Sequence, residues 1–306
     1  MPAVPRADVA LLTDRRYTAP VAADDDWYLG NILADDRLLQ QGLAKQGLSS
    51  ERVDWADPEV DWTTFRCAVF RTTWDYYERF AEFRSWIDRV SSLMRLINPP
   101  ETVIWNADKH YLADLEAAGV PIVPTVFLER GTALDLVALL RATGWTEAVI
   151  KPCVSGAARH THRITRATAA KVEAVVRSVL AEESFLLQPF ETHVLACGED
   201  SLMVVDGRYS HAVRKLPKPG DFRVQDDHGG TVHPRQPDDE QIAVAERAVA
   251  VAGSTAYARV DLVRSAAGRW AVMELELIEP ELWLRCHPPA ADLLAAAIAR
   301  RLSESR

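Results

Sequence analysis

The segment YARVDLVRSAAGRWAVMELELIEP, residues 257–280, constrains the fold of this chain more than any other. It reads as two strands joined by the turn SAAG. On the second strand Val272, Glu274, Glu276 and Ile278 alternate with Met273, Leu275 and Leu277. Side chains two apart on a strand share a face, so Glu274 and Glu276 form a polar row backed by an apolar one. An antiparallel partner can bring Asp261 alongside them. Three carboxylates on one sheet face repel each other unless a cation neutralises them. Hard oxygen ligands select magnesium or manganese. The competing reading is a solvated face whose charge is offset by Arg259 or Arg264.

Two lysines extend the pattern. WNADKHYLADLEAAG reads as a helix capped by Asn106 and ended by Gly119, with Lys109 in its first turn. The helix dipole disfavours a cation there, and an anionic ligand at the same N-terminus would explain it. EAVIKPCVSGAARHTHRI reads as a strand, a small-residue loop and a second strand, with Lys151 at the end of the first. Ser155, Gly156 and Ala157 let the backbone approach a ligand, and such a loop can cover phosphates with its N–H groups. The GxxxxGK[ST] loop is absent. Two cations, a covering loop and a metal face are what ATP binding needs.

The first third has a different architecture. A strand at 8–13, a helix from Leu29 to Leu43 and a strand from Cys67 to Phe70 make a β-α-β start, and ligands sit at strand ends in such units. FRTTWDYYERF places Arg71, Trp74 and Asp75 at one of them. Arg71 is a candidate grip for a carboxylate, and Asp75 for an ammonium group; an Arg–Asp pair among packed aromatics is the alternative. Asn98-Pro99-Pro100 marks a boundary. Beyond it, PIVPTVFL and SFLLQPF read as strands, and helices are expected to end at Gly144 and to cover 168–182, 238–252 and Pro289–Leu302. Asp206-Gly207 reads as a hairpin turn. The fold class is α/β, parallel at the start and α+β in the C-terminal half.

Composition excludes several functions. A net charge of −9 argues against a nucleic-acid partner bound through a basic face. No apolar run is long enough to span a bilayer, so no membrane partner is expected. The start of the chain shows no export signal, which points to the cytoplasm. The four cysteines are scattered without a CxxC pair, suggesting neither a zinc knuckle nor a disulfide framework.

The ordered set NADKHYL, VIKPCVSGA, LLQPF, GEDSL, GDFRVQDDHGG, RVDLV and VMELELIEP resembles the ATP-grasp superfamily of carboxylate–amine ligases. The resemblance implies an ATP-grasp fold preceded by a pre-ATP-grasp domain. It divides the chain into a substrate domain at 1–98, a central subdomain with the phosphate loop at 99–190 and a C-terminal subdomain with the metal site at 191–306. It puts Lys109 and Lys151 on ATP phosphates under the Ser155–Gly156 loop, Gln188, Pro189 and Phe190 on the adenine, and Glu199 on the ribose. Asp261 and Glu274 would hold Mg2+ or Mn2+, with Glu276 where the superfamily has an Asn. Arg223 would stabilise an acyl phosphate, and Lys215 would touch phosphate or substrate. Glu279 is a candidate for the substrate amine. RTTWDYY, WNADKHYL and ELELIEPELWL are similar to the subgroup of the cyclo-ligase of D-cycloserine biosynthesis. The implied reaction phosphorylates a small amino-acid-like carboxylate, and an amine-type nucleophile then displaces phosphate. Ring closure of O-ureidoserine is one form of it. Intermolecular amide synthesis, a kinase and a nonenzymatic ATP sensor are the alternatives. Homo-oligomers are common in the superfamily.

Overall fold

The computed structural model describes residues 6–221, 224, 229–265 and 268–304. Three sheets follow one another along the chain. The first is parallel, in the order β2-β1-β3-β4, from β1 (Val9–Thr13), β2 (Ser50–Asp54), β3 (Cys67–Thr72) and β4 (Arg95–Ile97). VALLT and CAVFRT are buried at every position, as central strands of a covered parallel sheet must be. The expected first helix is α1 (Trp27–Lys45), whose N-cap Asp26 accepts from the Leu29 N–H. Helix α2 (Phe80–Val90) and strands β2 and β4 were not anticipated.

The second sheet is antiparallel, in the order β5-β8-β6-β7: β5 (Val126–Leu128), β6 (Glu147–Pro152), β7 (His162–Thr165) and β8 (Phe185–Pro189). Helices α5 (Leu136–Thr143) and α6 (Ala169–Leu180) belong to this stretch. The third sheet runs β11-β10-β9-β12-β13, all antiparallel. Its strands are β9 (Glu199–Val205), β10 (Arg208–Leu216), β11 (Thr231–Arg235), β12 (Tyr257–Arg264) and β13 (Trp270–Glu276). Asp206 and Gly207 turn β9 into β10, both with positive φ, as a two-residue hairpin requires. Short α7 (His193–Cys197) precedes β9, and α8 (Asp239–Val251) precedes β12.

The last helix, α9 (Pro289–Ser303), returns to the first sheet and packs on α1. A Cβ at Gly42 of α1 would lie 2.9 Å from the Ala291 carbonyl oxygen, so the two helices cross nearly in contact. Val9, Leu39, Tyr257, Leu294 and Ile298 share one core, which ties the two ends of the chain together.

The helix expected over WNADKHYLADLEAAG is two helices, α3 (Pro100–Ala107) and α4 (Tyr111–Ala117). Asn106 caps neither of them. It lies inside α3, donates to the Leu275 carbonyl (2.8 Å) and accepts from the Leu277 N–H (2.7 Å), as a neighbouring strand would. Lys109 therefore sits in the break between helices, where its N–H donates to the Cys153 carbonyl (2.9 Å). PIVPTVFL is strand only from Val126; before that, the Val123 N–H donates to Val272, which in turn donates to Pro121. Asn106→Ala would orphan two buried backbone groups on the strand that carries the carboxylates. The expected cost is about 2–5 kcal/mol, read as a lower urea midpoint at unchanged slope. A loss under about 1 kcal/mol would refute the bracing role.

Candidate active site

Register builds the carboxylate face. Asp261 on β12 pairs with Glu274 on β13, and Arg259 pairs with Glu276. On the other side Asp261 faces Ser201 of β9, and Lys215 of β10 pairs with Glu199. A cavity of about 180 Å³ lies between this face and the second sheet. Lys109, Lys151, Glu199, Glu274 and Glu276 line it from the charged side, and Gln188 to Phe190 from the far end. Ser155, Gly156 and Ala157 form its cover.

Each charge in the cavity has a partner. The Lys109 ammonium is 3.1 Å from Glu274 and donates to the Ser155 carbonyl at 2.6 Å, so it anchors the covering loop. Lys151 is 3.8 Å from the other Glu274 oxygen. Burial works against ionisation of Glu274, but Lys109 and Lys151 hold its pKa down to about 2. Burial lowers the Lys151 pKa, against Glu274. At Lys109 burial is outweighed by Glu274, and the pKa rises. Glu276 bonds Arg259, yet burial beside Asp261 and Glu274 raises it to about 7. Burial likewise lifts Glu199, bonded to Lys215, to about 7.

Asp261 stands one step behind. Lys215 (3.0 Å), both arms of Arg259 (3.0 Å each) and the Ser201 hydroxyl (2.5 Å) occupy its two oxygens, and it lines neither this cavity nor its neighbour. Burial opposes its ionisation, but Arg259 and Lys215 depress its pKa. Glu274 and Glu276 offer hard oxygen donors inside the cavity, which suits a divalent cation of the magnesium class. The three carboxylates are spread among counter-ions rather than drawn into one cage.

A second cavity, of about 200 Å³, adjoins the first and shares Gly156, Ala157 and Glu276 with it. Tyr17, Tyr28 and Trp74 close one side, with the Tyr17 and Trp74 rings 5.3 Å apart and edge-to-face. Lys215, Arg259, Glu279 and Trp283 line the other. Burial and Glu276 push the Glu279 carboxyl well above its ordinary pKa. The covering loop touches this wall. A Cβ at Gly156 would fall 2.5 Å from Tyr77 Cε1, so only glycine lets the loop lie there. Gly156→Ala is expected to raise the KM for ATP about tenfold or more by displacing the loop, and Tyr77→Leu in the same chain to restore part of it. An unchanged KM would show that the loop does not depend on this contact.

Lys109, Lys151, Ser155, Gly156, Gln188, Pro189, Phe190, Glu199, Glu274 and Glu276 thus meet in one cavity, and Lys215 and Glu279 in the next. Arg223 lies outside the described residues. Arg71 and Asp75 depart from the expected substrate contact. Arg71 is buried with its Nε on Asp36 (2.9 Å), and Asp75 is taken by Trp55 Nε1 (2.7 Å) and Arg79 (3.0 Å). Neither lines the two large cavities, because each satisfies a charge within the first unit. Arg16, Tyr17, Tyr28 and Tyr77 went unsingled in the sequence. The signal was available for the first two, since Arg16 and Tyr17 directly follow β1, whose end faces the cavity.

A fold that buries two lysines against a carboxylate strand, under a glycine loop beside a second cavity, is that of an ATP-grasp ligase. An ATP-grasp RimK domain protein from Sphaerobacter thermophilus superposes with a TM-score of 0.66 at 19% identity, covering 97% of this chain and 100% of that one. The family model for the N-terminal domain of D-cycloserine synthetase DcsG matches residues 9–98. The cycloserine biosynthesis protein DcsG of Streptomyces lavendulae is 39% identical over 279 residues, 84% of this chain and 90% of that protein. The crystal structure of D-cycloserine synthetase DcsG superposes with a TM-score of 0.83 at 35% identity, covering 96% and 99%. The chain belongs to the DcsG family. It is an ATP-dependent ligase forming a C–N bond. No helix among the described residues is long and apolar enough to cross a membrane.

Proposed function

We propose that this ligase closes a small amino-acid-like carboxylate into a ring, and that its substrate is O-ureido-D-serine. The observation that carries this reading is the junction of the two cavities at Glu276, Gly156 and Ala157. The first cavity takes Mg-ATP. The second, walled by Tyr17, Tyr28, Trp74 and Trp283, has room for one small zwitterion, so nucleophile and carboxylate come from the same molecule. The relatives' name, D-cycloserine synthetase, agrees with this chemistry.

In this reading, residues 1–98 supply the aromatic wall, 99–190 the lysines and loop, and 191–306 the metal face. Lys109 and Lys151 bind the phosphates, Glu199 the ribose and the backbone of Gln188–Phe190 the adenine. Glu274 and Glu276, with Asp261 behind them, would hold Mg2+, which when bound would supply positive charge to offset that of the phosphates. Lys215 and Arg259 orient the substrate carboxylate, and Glu279 its ammonium group. The carboxylate takes the γ-phosphoryl and ADP forms. The nitrogen bonded to the side-chain oxygen then attacks the acyl carbon, and phosphate leaves with the electron pair of the broken C–O bond. The ring nitrogen still carries its carbamoyl group, and hydrolysis of that group to carbon dioxide and ammonia gives cycloserine. The Gly156 loop keeps water from the acyl phosphate.

The test is release of ADP and phosphate in Mg-ATP with D- and L-O-ureidoserine supplied singly, then with amino acids singly and in pairs. Turnover with the D-isomer alone, giving a cyclic product, is expected. Turnover only with pairs would replace ring closure by intermolecular amide synthesis. ADP without phosphate would make the chain a kinase.

A further inference from the structure

We propose that Asp108, His110 and Cys153 form a second metal site, for zinc or a similar borderline ion, behind the phosphate lysines. Among the described residues they are the one trio of His, Cys, Asp or Glu whose ligand atoms all lie within 4.8 Å of one another. The His110 Nδ1 is 2.6 Å from Asp108 Oδ1, and the ion would take the place of the proton between them. Tetrahedral coordination at about 2 Å needs only a small spreading of these two partly exposed side chains. The buried Cys153 thiol completes the set and loses its proton to solvent on binding. The solvent side leaves a fourth position for water.

The surroundings fix the imidazole as metal sites do. The other ring nitrogen, Nε2, lies 3.1 Å from Glu129 Oε1, and the Ser184 hydroxyl donates to Glu129 Oε2 at 3.2 Å. A carboxylate on the far nitrogen of a ligating histidine sets its tautomer and orientation. Phe127 stacks on the ring, with centroids 4.4 Å apart and planes 21° apart. An imidazolium held between two carboxylates would explain Asp108 and Glu129. It needs no thiol, and the thiol is what distinguishes a metal site here. Nitrogen and sulfur donors favour zinc over magnesium, whereas the Glu274–Glu276 face is all oxygen. The site would also clip the segment carrying Lys109 to the one carrying Lys151, already joined by the Lys109 N–H on the Cys153 carbonyl (2.9 Å).

The experiment titrates the full-length, chelator-treated protein with Co2+ in excess Mg2+, without nucleotide, so it is independent of the catalytic reading. One equivalent is expected to give a thiolate-to-cobalt charge-transfer band that Zn2+ abolishes. Cys153→Ser should remove the band, and His110→Gln should weaken binding at least tenfold. Glu129→Gln should weaken it about 10- to 100-fold. Cys197→Ser, Cys286→Ser and Glu274→Gln should retain it. Absence of the band, its survival in Cys153→Ser, or unaltered affinity in His110→Gln would overturn the proposal. His110 is partly exposed, so that variant decides the matter if Cys153→Ser fails to fold.

Discussion

Lys151→Ala is expected to lower kcat by about a hundred- to a thousandfold, the loss seen when one preorganised charge is removed from a developing anion. Lys151 is on β6 at the mouth of the covering loop, and its ammonium is buried among charged groups rather than solvated. If Lys109 and a divalent cation hold the phosphates as proposed, ground-state ATP keeps both, so kcat should fall further than KM rises. The fold should persist. Glu274 retains Lys109 at 3.1 Å, so no buried carboxylate is left alone, and Lys151 makes no side-chain hydrogen bond that spans the sheets. Circular dichroism and the urea midpoint would establish that. Lys151→Arg should not rescue, because a planar fork cannot occupy a point-charge position 3.8 Å from Glu274 and beside Lys109. Near wild-type turnover of a folded Lys151→Ala protein would refute the phosphate role.

The Glu274–Glu276 part of the carboxylate face was legible because strand alternation is a local signal. The longer row breaks at a bulge opposite Asp261 and Leu262, which puts Met273 in the cavity and Val272 in the core with Leu275 and Leu277. Glu274 and Glu276 could point only one way if Leu275 and Leu277 were buried, and both are. The covering loop was legible as a run of small residues that follows the apolar strand β6 and precedes a second strand, β7. What escaped is non-local. The second cavity takes Arg16, Tyr17 and Tyr28 from the far end of the chain, and long-range contacts bring that end to the β13 side: α1 packs on α9, Trp74 Nε1 donates to the Glu279 carbonyl (2.9 Å), and Asn98 donates to the Leu277 carbonyl (2.8 Å). Arg71 and Asp75 show the converse. Residue type and strand-end position suited them to a ligand, but Asp36, Trp55 and Arg79 were already their partners. Asn106 had the identity of a cap but serves as a strand mimic, a role set by an edge 169 residues away. Short edge strands β2, β4 and β11 carry too few buried positions for alternation to declare them.

Glu274→Gln keeps the shape of the side chain and removes its charge, and three results should follow together. First, the magnesium requirement should rise at least about tenfold, since one of the two β13 carboxylates that line the cavity can no longer bind as an anion. Secondly, the nucleotide-free protein should lose thermal stability, because Lys109 and Lys151 lose the anion between them and face each other at close range. Mg-ATP restores that anion through its phosphates, so the thermal shift on adding nucleotide should be larger in the variant than in the wild type, as linkage requires. Thirdly, the stability gap should depend on pH. The Glu274 pKa is about 2 in the fold against an ordinary 4.5. A lowered carboxylate pKa stabilises the fold above the ordinary value, and the contribution is lost as pH falls through the folded one. Wild type and variant should therefore differ fully above about pH 4.5 and converge towards pH 2. A magnesium titration superimposable on the wild type would remove Glu274 from the metal face. A gap in stability that stayed constant down to pH 2 would show that the lysines do not depend on its charge.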